Sequence, residues 1–273
     1  MRVPTRQRNL GYAVLVVASA VAVVPLLGVL DMALSSPSET GGTLSFGSLH
    51  FDNFRAVWTL GQLSKGLTTS FLISFSATTL TVLLAVPAGY ALASFKIRFR
   101  GLLFIVLLAG LMLPNESLII PLFFDLRSVG LGDTTWSVVM VETALSLAFG
   151  TFWMRAFFLD APSGLIEAAR IDGANSFTIL TRILAPLAAP QILALVVLVF
   201  VWTWNDLLVP LVLLSGGRST TAPMALAIFQ GQHATNYAYL SAAAILTAVP
   251  VIVVYIALQR SFSRGIVSGA IRE

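Results

Sequence analysis

The chain has 273 residues, of which 57% are hydrophobic and only 10% are charged, and its formal net charge at pH 7 is +4. Soluble domains are about 45–50% apolar, so this composition argues against a soluble domain and indicates a protein folded in a lipid bilayer. Cysteine is absent, which excludes disulfides, thiolate catalysis and cysteine metal sites. The basic residues are scattered between apolar runs, which favours membrane topology over nucleic-acid binding as their role.

Six apolar runs follow one another along the chain, each near the roughly 20 residues that a membrane helix needs. The first is preceded by Arg2, Arg6 and Arg8, as in a secretory signal peptide, but it exceeds the core length of such a signal and no small-x-small cleavage site follows. We therefore expect a retained first span. The sequence predicts an all-α membrane protein of one domain, residues 1–273, with six transmembrane helices at about 11–34, 67–95, 102–123, 135–158, 190–215 and 238–259.

The distribution of lysine and arginine predicts the orientation of these spans. Twelve of the sixteen basic residues fall in the N-terminus, the turn at 96–101, the region around 159–189 and the tail at 260–273, all of which lie on one side of a six-span protein. Only Arg55, Lys65, Arg127 and Arg218 fall on the other side. Since positive residues stay in the cytoplasm, both termini and the 159–189 segment are predicted to be cytoplasmic.

Motifs for catalysis or nucleotide binding are missing. The only lysines, Lys65 and Lys96, do not follow a phosphate-loop glycine frame. The sequence also lacks G-x-S-x-G and H-E-x-x-H, and a metal site from His50 and His233 is improbable. We expect no enzyme activity, metal or cofactor on this chain, so any energy for transport must come from elsewhere.

The 159–189 segment is long and partly charged for a connection between two apolar runs. Its pattern predicts a helix that begins near Ser163, a left-handed turn at Gly173 and a second helix over 177–184, closed by Pro186 and Pro190. Two interpretations fit: an amphipathic loop lying on the lipid headgroups, or a rigid projection that docks a soluble partner. In the second, charged side chains face the partner and the small side chains of Ala168 and Ala169 permit close contact.

The 159–189 segment resembles the EAA signature of ATP-binding-cassette importer permeases. The matching residues are Glu167, Ala168, Ala169, Asp172, Gly173 and Ala174. Further similarity to the carbohydrate-uptake branch, the maltose-type inner permeases, covers nearly the whole chain and includes Leu113-Pro114, Gly130-Leu131, residues 152–158, Trp204-Asn205-Asp206 and the tail residues Arg260, Gly265 and Gly269. The resemblance implies the type I importer permease fold.

The resemblance also implies a mechanism and partners. The EAA helix sits in a cleft of a separate ATPase subunit, and that subunit also binds ATP and Mg. Closure of two ATPases tips a pair of permeases from inward-open to outward-open. The implied partners are two ATPase subunits, a second homologous permease (a heterodimer is favoured), an extracytoplasmic solute-binding protein and the bilayer of a prokaryotic cell membrane, without nucleic acid. The tail residues Arg260, Gly265 and Gly269 either contact the ATPase or form a frayed basic end.

Polar residues inside the apolar runs are candidates for a substrate pathway, because ionisable side chains in a membrane are costly. At 1.5 Å per residue, Glu116, Glu142 and Asp206 fall about 20–24 Å from the cytoplasmic side of a continuous helix. We expect them to form one layer with Asn115 and Asn205, while Trp202 and Trp204 stack on a sugar ring. The alternative is packing between spans.

The charge of this layer predicts a neutral or amine-bearing sugar, or an uncharged polyol conjugate, as cargo, since the acids would repel an anion. Two other functions remain open at this stage. One is an ion-coupled secondary transporter or channel that relays protons through the same acids. The other is a scaffold without transport activity.

Overall fold

The computed structural model describes residues 5–36, 49–60, 62–230 and 236–269, with side chains up to residue 259 apart from 5, 6 and 10. Within these ranges the chain is helical, joined by turns and short loops. The helices are α1 (Thr5–Leu34), α2 (Asp52–Leu60), α3 (Leu63–Ser94), α4 (Arg100–Met112), α5 (Asn115–Ser128), α6 (Thr135–Leu159), α7 (Ser163–Ile171), α8 (Ser176–Thr178), α9 (Ala185–Leu187), α10 (Ala189–Asn205), α11 (Leu208–Leu213), α12 (Ala222–Ala227) and α13 (Tyr237–Gly269), and a π-helical turn (Ile179–Leu184) joins α8 to α9.

Four helices in the described ranges are long and apolar enough to cross a bilayer alone: α1, α3, α6 and α13. Two further candidates are bent pairs. The α4–α5 pair bends by 99°, and the pair formed by Ser176–Leu187 and Ala189–Asn205 bends by 77°. The number of spans is therefore four, or six if each bent pair is one span.

The break between α4 and α5 lies inside the predicted run 102–123, which the sequence analysis treated as one continuous helix. Leu113 leaves the helical region with φ −74° and ψ 132°, directly before Pro114. Proline lacks an N–H donor and disfavours the helical conformation of the residue before it. The depth predicted for Glu116 from an unbroken helix is therefore wrong, because Glu116 lies in the first turn of α5, beyond the bend.

The predicted run 190–215 is interrupted as well. The helix α10 ends at Asn205, and Asp206 is extended with φ −69° and ψ 125°. Its carboxylate oxygen Oδ1 accepts hydrogen bonds from the N–H groups of Leu208 (2.8 Å) and Val209 (3.4 Å). These are the first N–H groups of α11, so the Asp206 side chain takes the place of the missing helical acceptors.

The chain divides into two compact units, one within residues 1–64 and 225–249 and the other within 65–224 and 250–273. In the first unit, the end of α1 is fixed to α2 by a buried side chain. The amide nitrogen Nδ2 of Asn53 donates to the carbonyl oxygens of Ala33 and Ser35, both at 2.9 Å. One side chain thus satisfies two carbonyls that the end of α1 leaves without helical partners.

The second unit packs α3, α6 and α10 through small residues. A Cβ placed on Gly150 of α6 would lie 2.9 Å from the Cβ of Ala85 on α3. In a bilayer, where lipid tails are as apolar as leucine, close van der Waals contact at small residues drives helix association. Glycine is therefore needed at position 150 because the backbones of α3 and α6 lie close together, and not because a turn requires it.

Two hydrophobic clusters lie at different levels of this second unit. One joins α3, α6 and α10 to the 159–189 segment through Met154, Phe158, Ala169 and Leu184. The other joins α3, α5, α6 and α11, with Ile119, Val138 and Val209 among its members. The first cluster anchors the 159–189 segment, and the second holds α11, which follows the break at Asp206.

Candidate functional site

The helix α7 ends in a glycine turn whose geometry agrees with the prediction from sequence. Gly173 has φ +82°, in the left-handed region. Its N–H donates to the carbonyl of Arg170 (3.0 Å), and the N–H of Ala174 donates to the carbonyl of Ala169 (2.9 Å). This pair of bonds is the Schellman motif, which satisfies carbonyls at a helix end. The turn therefore gives α7 a defined stop and redirects the chain.

The second half of the segment starts from another capped position. The side-chain oxygen of Asn175 accepts a hydrogen bond from the N–H of Thr178 at 2.8 Å. The helical stretch then runs from Ser176 to Leu187 through the π-helical turn, which extends the predicted 177–184 at both ends. Such π-turns are rare and frequently occur at functional sites.

The 159–189 segment has an inner face and an outer face. Ala169, Ile179, Leu180 and Leu184 are buried in the cluster with Met154 and Phe158. The side chains on the outer face are exposed: Glu167, Ala168, Ile171, Asp172 and Phe177. Of the two alanines that the sequence analysis placed at a partner surface, only Ala168 is outside, because Ala169 faces the bundle.

The outer face also carries exposed apolar side chains beside its charged ones. Ile171 is 87% exposed and Phe177 is 74% exposed, and they lie on either side of the glycine turn. Water solvates such side chains poorly, and adjacent exposed apolar groups rimmed by charge mark interaction sites. The arrangement is a rigid projection that is anchored through its inner face and presents both charge and apolar surface outward.

A second group of polar residues lies around the break in α10. Glu142 of α6 is 5% exposed, and its Oε2 accepts a hydrogen bond from Thr203 Oγ1 at 3.4 Å. Its carboxyl also lies close to the carboxyl of Asp206, and its other oxygen, Oε1, is buried without a hydrogen-bond partner. We call Glu142 and Asp206 the carboxyl pair. Ionisable side chains inside a membrane span are costly, so two acids side by side mark this place as a candidate functional site.

The structure brings together only part of the predicted polar layer. Asn115 and Glu116 are exposed at the start of α5 and take no part in the contact between the two carboxyls. Asn205 is exposed, and its Nδ2 donates to the carbonyl of Val201 at 2.8 Å. Thr203 was not predicted from the sequence, although its position three residues before Asp206 would put both on one side of a helix.

The two tryptophans differ in their surroundings. Trp204 is 1% exposed and stacks on Phe200, with ring centroids 5.7 Å apart, so in this conformation it packs inside the bundle and its ring is not open to a ligand. Trp202 is 47% exposed and meets Phe149 edge-to-face at 4.9 Å. Of these two tryptophans, Trp202 is thus the one with an exposed ring surface.

The remaining predicted site residues belong to the tail. Arg260, Gly265 and Gly269 lie in α13, but their side chains are outside the described residues. Within the described residues, no group of three or more histidine, aspartate or glutamate side chains could hold a metal ion.

Known proteins share the architecture described above. Residues 85–268 match the family of binding-protein-dependent transport system inner membrane components. The chain belongs to this family. The permease is 32% identical over 270 residues to the diacetylchitobiose uptake system permease protein NgcG of Streptomyces coelicolor, a match that covers 96% of the permease and 88% of NgcG.

Other relatives and solved structures agree. The permease is 33% identical over 254 residues to the trehalose transport system permease protein SugB of Mycobacterium tuberculosis, covering 92% of the permease and 93% of SugB. A chain of a bacterial transporter that imports the acidic polysaccharide alginate shares the fold, with a TM-score of 0.73, 22% identity and coverage of 96% and 99%. The permease is thus a multi-pass membrane subunit of an importer and not an enzyme.

Proposed function

We propose that the permease carries a sugar or sugar-derived solute, delivered by an extracytoplasmic binding protein, across the membrane of a prokaryotic cell. The family description, which names binding-protein-dependent transport, supports the partner. The printed names of similar permeases support the cargo class, since they refer to diacetylchitobiose, trehalose and arabinooligosaccharides. Both termini face the cytoplasm in this proposal, as the distribution of basic residues predicts.

The 159–189 segment transmits the closing motion of a separate ATPase to the permease, and that ATPase binds ATP and Mg. The observation that carries this assignment is the two-faced build of the segment, with its inner side chains in the bundle core and Glu167, Ala168, Ile171 and Phe177 outside. A rigid element in firm contact with α3, α6 and α10 moves those helices when it moves. Coupling needs such an element, with two arrangements that the ATPase can bias.

The full assembly contains two ATPases and a second, homologous permease, with a heterodimer favoured. The tail residues Arg260, Gly265 and Gly269 provide a further contact to the ATPase. In this assembly the permease itself binds no cofactor.

The substrate passes near the carboxyl pair. Thr203 and Asn205 supply further polar atoms beside it, and Trp202 supplies an exposed ring. Aromatic rings suit the apolar faces of sugars, and the acidic pair disfavours an anionic cargo in a poorly hydrated site. We therefore propose a neutral or amine-bearing sugar as the substrate.

The test is reconstitution with and without the ATPase. The complete complex in proteoliposomes is expected to accumulate sugar only with ATP and the binding protein present. Glu167→Lys is expected to abolish uptake while membrane insertion stays normal, because it reverses the charge at the outer face. Ser163→Lys, an exposed position in the first turn of the same helix, is the matched control and is expected to transport normally.

Two outcomes contradict the proposal. One is full uptake by Glu167→Lys at normal expression. The other is uptake by the permease alone, driven by a proton gradient, which would instead favour the ion-coupled transporter with the carboxyl pair as its relay.

A further inference from the structure

Arg155 is a basic side chain inside a membrane-spanning helix, four residues before the last residue of α6. At 1.5 Å per residue it lies about 6 Å inside the helix end. The side chain is half-buried, and its Nε is buried without a hydrogen-bond partner. A buried donor without an acceptor is costly, and none of the described residues supplies an acceptor for this N–H.

The guanidinium of Arg155 is held in a defined place by a neighbouring helix. Its Cζ lies 4.0 Å from the centroid of the Phe104 ring on α4. Phe104 in turn stacks on Phe152 of α6, with centroids 6.2 Å apart. Stacking on an aromatic face fixes the plane of an arginine while leaving its N–H edge available for an oxyanion.

More basic side chains gather at the same end of the α4–α6 pair. Arg100 is the first residue of α4 and lies one turn before Phe104, on the same side of the helix. Arg98 lies over the Phe99 ring at 5.1 Å. Arg98 and Arg100, together with Lys96, are exposed. Positive charge therefore converges where α4 enters the bilayer.

Acidic side chains do not neutralise this cluster. Asp133 forms an ion pair with Arg218, and it precedes the opposite end of α6. Asp160, the carboxylate next to the end of α6, is exposed and makes no ion pair with Arg155 or Arg100. The cluster thus keeps its charge for a ligand from outside the chain.

We propose that Arg155, Arg100 and Arg98 form a binding site for the phosphate of an anionic phospholipid headgroup. Lipid chains would lie along α4, whose side chains Leu102, Leu103, Ile105 and Val106 are exposed. Basic pockets between membrane helices bind such headgroups. The topology rule needs only exposed basic residues in the loop, and it does not account for a half-buried arginine stacked inside a span.

In the proposed orientation, with both termini in the cytoplasm, the site lies in the cytoplasmic leaflet of the bilayer. The site itself depends only on the permease being in a bilayer. Failure of the lipid site would therefore leave the proposed sugar transport untouched.

The experiment compares lipid retention by the purified complex in nanodiscs made of phosphatidylcholine alone or with phosphatidylglycerol. Native mass spectrometry counts phosphatidylglycerol molecules retained after transfer to detergent, and a lipid titration gives their affinity. Arg155→Gln is expected to weaken phosphatidylglycerol binding about tenfold or more, because hydrogen bonds to a charged group are lost. Arg155→Lys keeps the charge but loses the planar guanidinium. Its affinity for phosphatidylglycerol is expected to lie between those of Arg155→Gln and wild type.

The matched control is Arg127→Gln. Arg127 also lies over a phenylalanine, Phe123, at 5.9 Å, but in the last turn of α5, and its loss is expected to leave phosphatidylglycerol binding unchanged. Elution of each variant in gel filtration as the intact complex checks folding.

Three results would overturn the proposal. The first is equal phosphatidylglycerol affinity of Arg155→Gln and wild type. The second is loss of binding in Arg127→Gln to the same degree. The third is displacement of the lipid by inorganic phosphate alone, which would indicate a general anion site.

Discussion

Replacing Gly173 by alanine tests whether the glycine turn sets the shape of the 159–189 segment. A Cβ at this position would meet nothing within 4 Å, so the substitution creates no clash. The backbone is the obstacle, because φ is +82°, where a residue with a Cβ costs about 1–2 kcal/mol. Opening of the turn also breaks the two hydrogen bonds to the carbonyls of Arg170 and Ala169.

The expected result is a local loss of protection. A cost of about 1–2 kcal/mol corresponds to roughly 5–30-fold, so hydrogen exchange at the amides of residues 173 and 174 should accelerate by this factor in Gly173→Ala. Uptake should fall with it, since the outer face is no longer held in one orientation. Gly173→Asn should lose less, because asparagine tolerates the left-handed region.

Gly164→Ala is the control in the same helix. Gly164 also has open space around its Cβ position, but its φ is not positive, and alanine is the better helix former by about 1 kcal/mol. Exchange should be unchanged or slower in this variant. If Gly173→Ala behaves like Gly164→Ala, the glycine turn does not determine the shape of the segment.

Three further substitutions probe packing and polar contacts. Gly150→Ala should destabilise the bundle by about 1–3 kcal/mol, because the added methyl group overpacks the contact with α3. Gly110→Ala is the control and should not destabilise it, since no neighbour lies closer than 3.9 Å to the new Cβ. Equal melting temperatures of the two variants in detergent would argue against the contact. Glu142→Gln should keep near-normal stability, because the amide can donate a hydrogen bond to Asp206. Glu142→Ala should lose about 1–3 kcal/mol of stability. A lower stability of Glu142→Gln than of Glu142→Ala would mean that an ionised Glu142 is required. Asn53→Ala should cost about 1–3 kcal/mol by leaving two carbonyls without their donor, and unchanged proteolysis near α2 would contradict this.

The sequence predicted helices and the glycine turn well, because both depend on local chemistry. Apolar length marks a membrane helix, and only a few residues accept a positive φ. The turn at Gly173 therefore follows from the residue itself. The orientation of the termini was predicted from charge alone and stays a prediction.

The sequence was less informative where tertiary packing decides how a helix bends or which side chains are buried. Pro114 was visible, but its position inside an apolar run did not tell whether the helix kinks or bends by 99°. Ala168 and Ala169 are adjacent and identical, and only the packing against Met154 and Phe158 sends Ala169 inward.

The same limit applies to the polar layer. Trp202 and Trp204 are two residues apart, so they point to different sides of the helix, and sequence could not say which side is buried. Glu142 and Asp206 are brought together by an extended residue at the end of α10. A depth estimate along straight helices cannot foresee that geometry.

The central claim is that the outer face of the 159–189 segment lies in the cytoplasm and docks an ATPase. The chain has no cysteine, so Ala168→Cys gives a single reactive thiol at that exposed face. A membrane-impermeant maleimide is expected to label it in inverted vesicles stripped of the ATPase, to fail in intact cells, and to fail again when the ATPase is added back. Labelling in intact cells, or labelling that the bound ATPase does not reduce, would contradict the account.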